Sequence, residues 1–198
     1  MPRAGLTPEG VLDVAGTIAD ADGLDAVTLA RLAAELGVRP PSLYKHVESL
    51  EAVRRGLALR GIAEANRRLQ LSTIGKARDD ALYALADAYW RFARERPGLY
   101  AASLRAARPD ENDVAVASEA LLGTVLAVLS GYGVAEADAL HATRGLRAII
   151  HGFVSLDAAG GFRLKLDLEE SFRRLLAAFA RDLAARGRNQ PEYAPAAH

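Results

Sequence analysis

Apolar positions recur along this chain at helical spacing, and no segment alternates apolar and polar residues long enough to read as a strand. Thr7 suits a helix start, with Pro8 fitting the first turn and Glu9 meeting the positive end of the helix dipole. Val11, Ala15, Ile18 and Ala19 share one face of that helix, and Asp22-Gly23 ends it. Thr28 caps a second, short helix to Leu36, with Leu29, Leu32, Ala33 and Leu36 turned inward and Gly37 as its stop. Pro40-Pro41 open a third helix through about Val47, and Ser49 caps a fourth that runs to about Leu69. Further helices are predicted near 76–96, 99–107, 110–131, 135–159 and 168–186, about nine in all. The fold class is all-α. The prolines agree with it: at 2, 8, 40, 41, 97, 109, 191 and 195, they leave 42–96 and 110–190 uninterrupted. The 110–131 helix is apolar on nearly every side, which predicts a central, buried element. The tail, 188–198, is expected to be disordered.

Composition narrows the function classes. A chain of 198 residues can bury a core without disulfides or a structural metal. With no cysteine, thiol catalysis and Cys-based zinc sites are excluded. His141 and His151 are not at metal-ligating helical spacing, so no metal and no cofactor are expected. No nucleophile elbow, phosphate-binding loop or Ser/His/Asp arrangement stands out, and an enzyme is not predicted. The N-terminus has no basic stretch followed by an apolar core, which predicts a cytoplasmic protein. The longest stretch without a charge, Ala120 to Ala135, is 16 residues, short of the roughly 20 that span a bilayer, so no membrane partner is expected.

The most specific signal is TLARLAAELGVRPPSLYKHV, from Thr28 to Val47. Ala33 is small where two helices cross, Gly37 can take the left-handed turn conformation, and Leu32, Leu36, Val38 and Leu43 can bury the seam. That is a helix-turn-helix, whose last helix is offered to the DNA major groove. The stretch from Thr7 to about Leu57 resembles the DNA-binding domain of TetR-family regulators, and Leu43-Tyr44-Lys45-His46-Val47 matches that family's recognition-helix signature. His151-Gly152-Phe153, followed by Gly160-Gly161-Phe162, is similar to the C-terminal domain of one subgroup with a His-Gly motif in its penultimate helix. The resemblance implies a three-helix DNA-binding domain over 1–50 and a helical effector-binding and dimerisation domain over 51–187.

Charge alone argues against a DNA reader. Residues 1–50 hold four basic side chains (Arg3, Arg31, Arg39, Lys45) against seven acids (Glu9, Asp13, Asp20, Asp22, Asp25, Glu35, Glu48), a net of −3. Their distribution restores the reading: Arg39 and Lys45 flank the expected DNA face, and most acids lie on the first helix and the loop after it. The resemblance implies phosphate or groove contacts from Tyr44 and His46 and a backbone contact from Thr28. Base reading falls to Arg39, Ser42 and Lys45. Two departures from the family pattern, Leu50 where a Lys is common and Pro40 where a polar residue is common, predict modest affinity per half-site.

In the body, Phe172, Leu176 and Phe179 form one stripe and Ile149, Ile150 and Phe153 another. The resemblance implies that these two helices build a homodimer interface, in keeping with palindromic operator DNA. Tyr83, Asp87, Trp90, Tyr100, Leu121, Thr124, Tyr132 and His151 are candidates for an effector pocket, since they combine apolar and aromatic groups with a few polar anchors. The function expected is a repressor released from its operator by a small, mostly apolar effector. The alternative is a DNA-binding or architectural dimer without an effector.

Overall fold

A computed structural model describes residues 6–188; the disordered tail expected at 188–198 lies outside them, apart from Arg188, which closes the last helix. Among the described residues there are nine α-helices and no strand: α1 (Pro8–Asp22), α2 (Leu29–Glu35), α3 (Pro40–Leu43), α4 (Leu50–Thr73), α5 (Arg78–Glu95), α6 (Pro97–Ser103), α7 (Asn112–Ser130), α8 (Glu136–Ala158) and α9 (Leu168–Arg188), with a 3-10 turn at Leu24–Ala26. The all-α expectation is met. The described residues divide into two compact units, one of 6–67 with 91–121 and the other of 68–90 with 122–188.

In the first unit, local chemistry sets the helix ends. Thr7 Oγ1 accepts from Gly10 N (3.1 Å), Thr28 Oγ1 from Arg31 N (3.2 Å) and Ser49 Oγ from Ala52 N (3.0 Å), so the three predicted caps form. The predicted inward face of α1 is buried, as are Leu32 and Ala33 on α2 and Leu43 on α3. Each buried leucine contributes about 1.5–3 kcal/mol to holding these helices together. Gly37 stands at φ 65°, Val38 N donates back to Ala33 O, and Gly37 N donates to Ala34 O. This closure turns the chain sharply from α2 into α3.

Three expectations change. α3 is one α-helical turn, not a helix to Val47; beyond Leu43 the chain continues as a turn, with His46 N and Val47 N both donating to Leu43 O. Pro40 and Pro41 occupy the first turn, whose N–H groups make no intrahelical bond in any helix, so they set where α3 starts and not where it ends. α4 runs past Leu69 to Thr73, where the Ser72 and Thr73 hydroxyls donate to Leu69 O and Lys76 Nζ donates to Ser72 O. α7 is not a buried central rod: Val114, Val128 and Leu129 are buried, whereas Val116 is 55% exposed. A uniformly apolar sequence does not specify how many sides of a helix acquire neighbours. By length and composition alone, α7 is also the one described helix that could cross a membrane; Asp113 and Glu119 lie within it, and Asp113 pairs with Arg55.

The second unit packs around aromatic side chains. Trp90 meets Phe153 edge-on (5.2 Å between ring centres) and Phe172 at 4.9 Å, and Phe153 also contacts Phe162 and Phe172 at 4.8 Å each. Ile150, Phe153, Phe172 and Leu176, expected at a subunit interface, are instead buried in the core of their own chain. The stripes are apolar faces, as their spacing predicts, but periodicity does not say whether a face meets its own chain or a partner.

Candidate nucleic-acid interface

α2 and α3 pack on one another. Leu32 and Leu43 are spent on the seam between them, so the residues around Leu43 point outward. Arg39, Pro40, Pro41, Ser42, Tyr44 and Lys45 are exposed, as is Thr28 at the start of α2, while His46 is half-buried. Tyr44 is 57% exposed, unusual for so large an aromatic in a helical hairpin and suited to an external contact. Its hydroxyl, the Ser42 hydroxyl and two cations thus share one short exposed segment. Thr28 differs, because its hydroxyl oxygen already accepts from the Arg31 amide. The hydroxyl hydrogen can still be donated to a phosphate.

Electrostatics sharpens the segment. Arg31 pairs with Asp22 (2.6 Å) and Glu35 (3.8 Å), whereas Arg39 and Lys45 have no acidic partner among the described residues. Four of the seven acids counted in 1–50, Asp13, Asp20, Asp22 and Glu35, are paired with arginines. Asp13 pairs with Arg60 of α4, Asp20 with Arg96 ahead of α6, and Asp22 with Arg31, each at 2.6 Å. The local field at the exposed segment therefore comes from Arg39 and Lys45 more than from the formal charge of 1–50. Composition did not reveal this, because Arg60 and Arg96 lie beyond the counted stretch.

α4 is tied to the start of α7 and to the loop before it. Arg55 Nη2 reaches Asp113 Oδ1 (2.7 Å), and Arg108 Nη1 reaches Glu51 Oε1 (3.1 Å). Glu111, nearly fully buried, accepts from Arg105 Nη2 (2.6 Å) and Arg108 N (3.0 Å). The Arg105 guanidinium and the Arg108 amide hold the Glu111 carboxyl down at about 2. Arg55 likewise lowers the Asp113 carboxyl.

Comparison with known proteins agrees with this geometry. Residues 82–179 match the family model described as the tetracyclin repressor-like C-terminal domain. The chain is 38% identical over 188 residues to the uncharacterized HTH-type transcriptional regulator YobS of Bacillus subtilis, covering 95% of this chain and 98% of that protein. The chain belongs to the TetR family of transcriptional regulators.

Its fold is that of the family. A Rhodococcus sp. RHA1 protein of unknown function superposes with a TM-score of 0.78 at 25% identity, over 92% of this chain and 98% of that one. A TetR variant of Acinetobacter baumannii in complex with minocycline superposes with a TM-score of 0.68 at 20% identity, over 91% and 98% of the two chains. As a TetR-family regulator the chain is not an enzyme.

The candidate effector residues fall in both units of this TetR-family chain. Tyr100 belongs to the first unit, buried edge-on against Phe92 with ring centres 6.2 Å apart, and Leu121 is half-buried there. Tyr83, Asp87, Trp90, Thr124, Tyr132 and His151 belong to the second. There Tyr132 is buried, donates its hydroxyl to Asp79 Oδ1 (2.7 Å) and lies under the Arg78 guanidinium. Burial, reinforced by Asp79, pushes the Tyr132 phenol upward. Burial also raises the half-buried Tyr83. Trp90 Nε1 donates to Asp157 Oδ2 (3.2 Å), Thr124 Oγ1 accepts from Gln70 Nε2 (3.3 Å), and His151 is exposed. Among the described residues no group of three or more His, Asp or Glu is placed to hold a metal.

Proposed function

We propose that this TetR-family chain is a repressor that binds a pseudo-palindromic operator as a homodimer through Thr28, Arg39, Ser42, Tyr44, Lys45 and His46. The observation that carries the reading is the exposed segment from Arg39 to Lys45, where two cations without an acidic partner among the described residues flank an outward tyrosine, while Asp13, Asp20 and Asp22 are matched by arginines. Hydroxyls and cations on one short element position a duplex and read guanine edges. On this reading residues 1–50 contact DNA in the cytoplasm, and 51–187 carry effector binding and dimerisation. The outer faces of α8 and α9 suit the subunit contact, with Gly152 open to close approach and Leu156 and Leu175 51% and 41% exposed. A mostly apolar effector would favour a conformation whose two recognition segments no longer match the operator spacing. That one structural neighbour is known as a complex with minocycline supports a small-molecule effector.

A second reading, a DNA-binding dimer without an effector, has its own support. The Tyr132 hydroxyl and the Trp90 indole, on two of the aromatic residues expected to line the pocket, are bonded to Asp79 and Asp157 of the same chain. Selection from random duplex DNA, followed by a small-molecule screen for release of the selected sequence, separates the two. Enrichment of no sequence would end both.

A further inference from the structure

One carboxylate in the first unit does more than neutralise a charge. Asp20 lies in the last turn of α1, two residues before the helix ends. Its Oδ2 receives Arg96 Nε at 2.6 Å, and its Oδ1 accepts from the backbone amides of Gly98 (2.9 Å) and Leu99 (3.2 Å) at the start of α6. Arg96 in turn reaches Glu64 Oε2 of α4 at 3.5 Å. A Cβ on Gly98 would overlap the backbone and Cβ of Ala19, so α6 contributes only main chain where it touches α1. α6 meets both α1 and the 3-10 turn that leads into α2.

We infer that Asp20 and Arg96 are a positioning pair that sets the direction in which α1, and with it α2 and α3, is presented to DNA. Apolar surfaces tolerate sliding, because their attraction is non-directional. Three donors converging on one carboxylate do not, since each bond is lost over a few tenths of an ångström or a modest rotation. The bare contact at Gly98 removes the compliance that a side chain would supply. α1 has 15 residues, about 22 Å at the helical rise. A hold at its C-terminal end therefore directs the whole helix and the reading segment packed behind it. This rests on the proposed binding of a two-half-site operator by a dimer, for which both heads must point correctly at once.

The test compares a selected palindromic duplex with the same duplex cut to one half-site, using the full chain, Asp20→Asn and Gly98→Ala. Asp20→Asn keeps the side-chain shape but loses the charge that holds Arg96; Gly98→Ala wedges α6 away from α1. If the pair positions the heads, the competent population falls, and the palindrome Kd rises by roughly tenfold or more. Half-site affinity stays within about twofold, and the salt dependence is unchanged, because no phosphate contact has been removed. Parallel loss on both duplexes would show that the pair merely keeps the head folded, and no change on either would show that it positions nothing; both results overturn the inference. Should Gly98→Ala fail to fold, Asp20→Asn alone decides. An unmodified chain that prefers no palindrome would instead defeat the operator reading, and with it any head to position.

Discussion

The Trp90 indole donates to Asp157 Oδ2 at 3.2 Å across 67 positions of the chain, joining α5 to the end of α8 inside the aromatic cluster of the second unit. Trp90 is also the only tryptophan, so its emission reports on this cluster alone. Asp157→Ala is expected to leave the indole N–H short of a partner, costing about 1–3 kcal/mol. Trp90→Phe with Asp157→Ala should recover part of that loss, because Phe requires no acceptor. Urea unfolding of the single and double variants checks this, and additive effects would remove the bond from the account.

Glu111 makes stability depend on acid pH. Its folded carboxyl sits at about 2, against an ordinary 4.5, chiefly because Arg105 donates to it. A depressed carboxyl contributes stability that is fully present above about 4.5 and lost as pH falls toward 2. Glu111→Gln should therefore lower stability at neutral pH and flatten the fall in stability between those limits. Denaturation midpoints measured across that range would show the flattening, and an unchanged acid limb would argue against it.

At the DNA face, Lys45→Ala and Tyr44→Phe should weaken operator binding without changing helicity, since both side chains are exposed. Losing Lys45, assigned to base reading, should cost about 1–3 kcal/mol and relax specificity at one base pair, whereas the Tyr44 hydroxyl carries no charge and its loss leaves the salt slope unchanged. Thr28 needs separate treatment, because its hydroxyl also caps α2. Thr28→Ala should cost about 1 kcal/mol of stability in addition to any effect on DNA, and Thr28→Ser should restore the cap. Fluorescence anisotropy at several salt concentrations, beside thermal melts, resolves these contributions.

For assembly, the variants that matter are on the outer faces of α8 and α9. Glu substitutions at the exposed Leu156 and Leu175 should give a folded monomer, whereas Phe172→Glu, at a position 1% exposed, should unfold the chain. Sedimentation velocity with circular dichroism distinguishes these outcomes. A Leu156→Glu/Leu175→Glu protein that still sediments as a dimer would place the proposed subunit contact elsewhere.

Much of this fold is legible in the sequence, and what is legible is local. Thr7, Thr28 and Ser49 were readable as caps because a hydroxyl reaches an amide three residues on, whatever the rest of the chain does. Gly37 was readable as the turn because its left-handed φ favours a residue without a Cβ. The outward Arg39-to-Lys45 segment followed from burying Leu32 and Leu43. Tertiary structure decided what neighbours in sequence do not encode: that Asp20 meets Arg96 across 76 positions, that Phe172 and Ile150 face their own core, and that α7 keeps part of its apolar surface exposed. Periodicity gives a helix a face but not the neighbour that the face will meet, and a long arginine can satisfy any acid that folding brings within its reach.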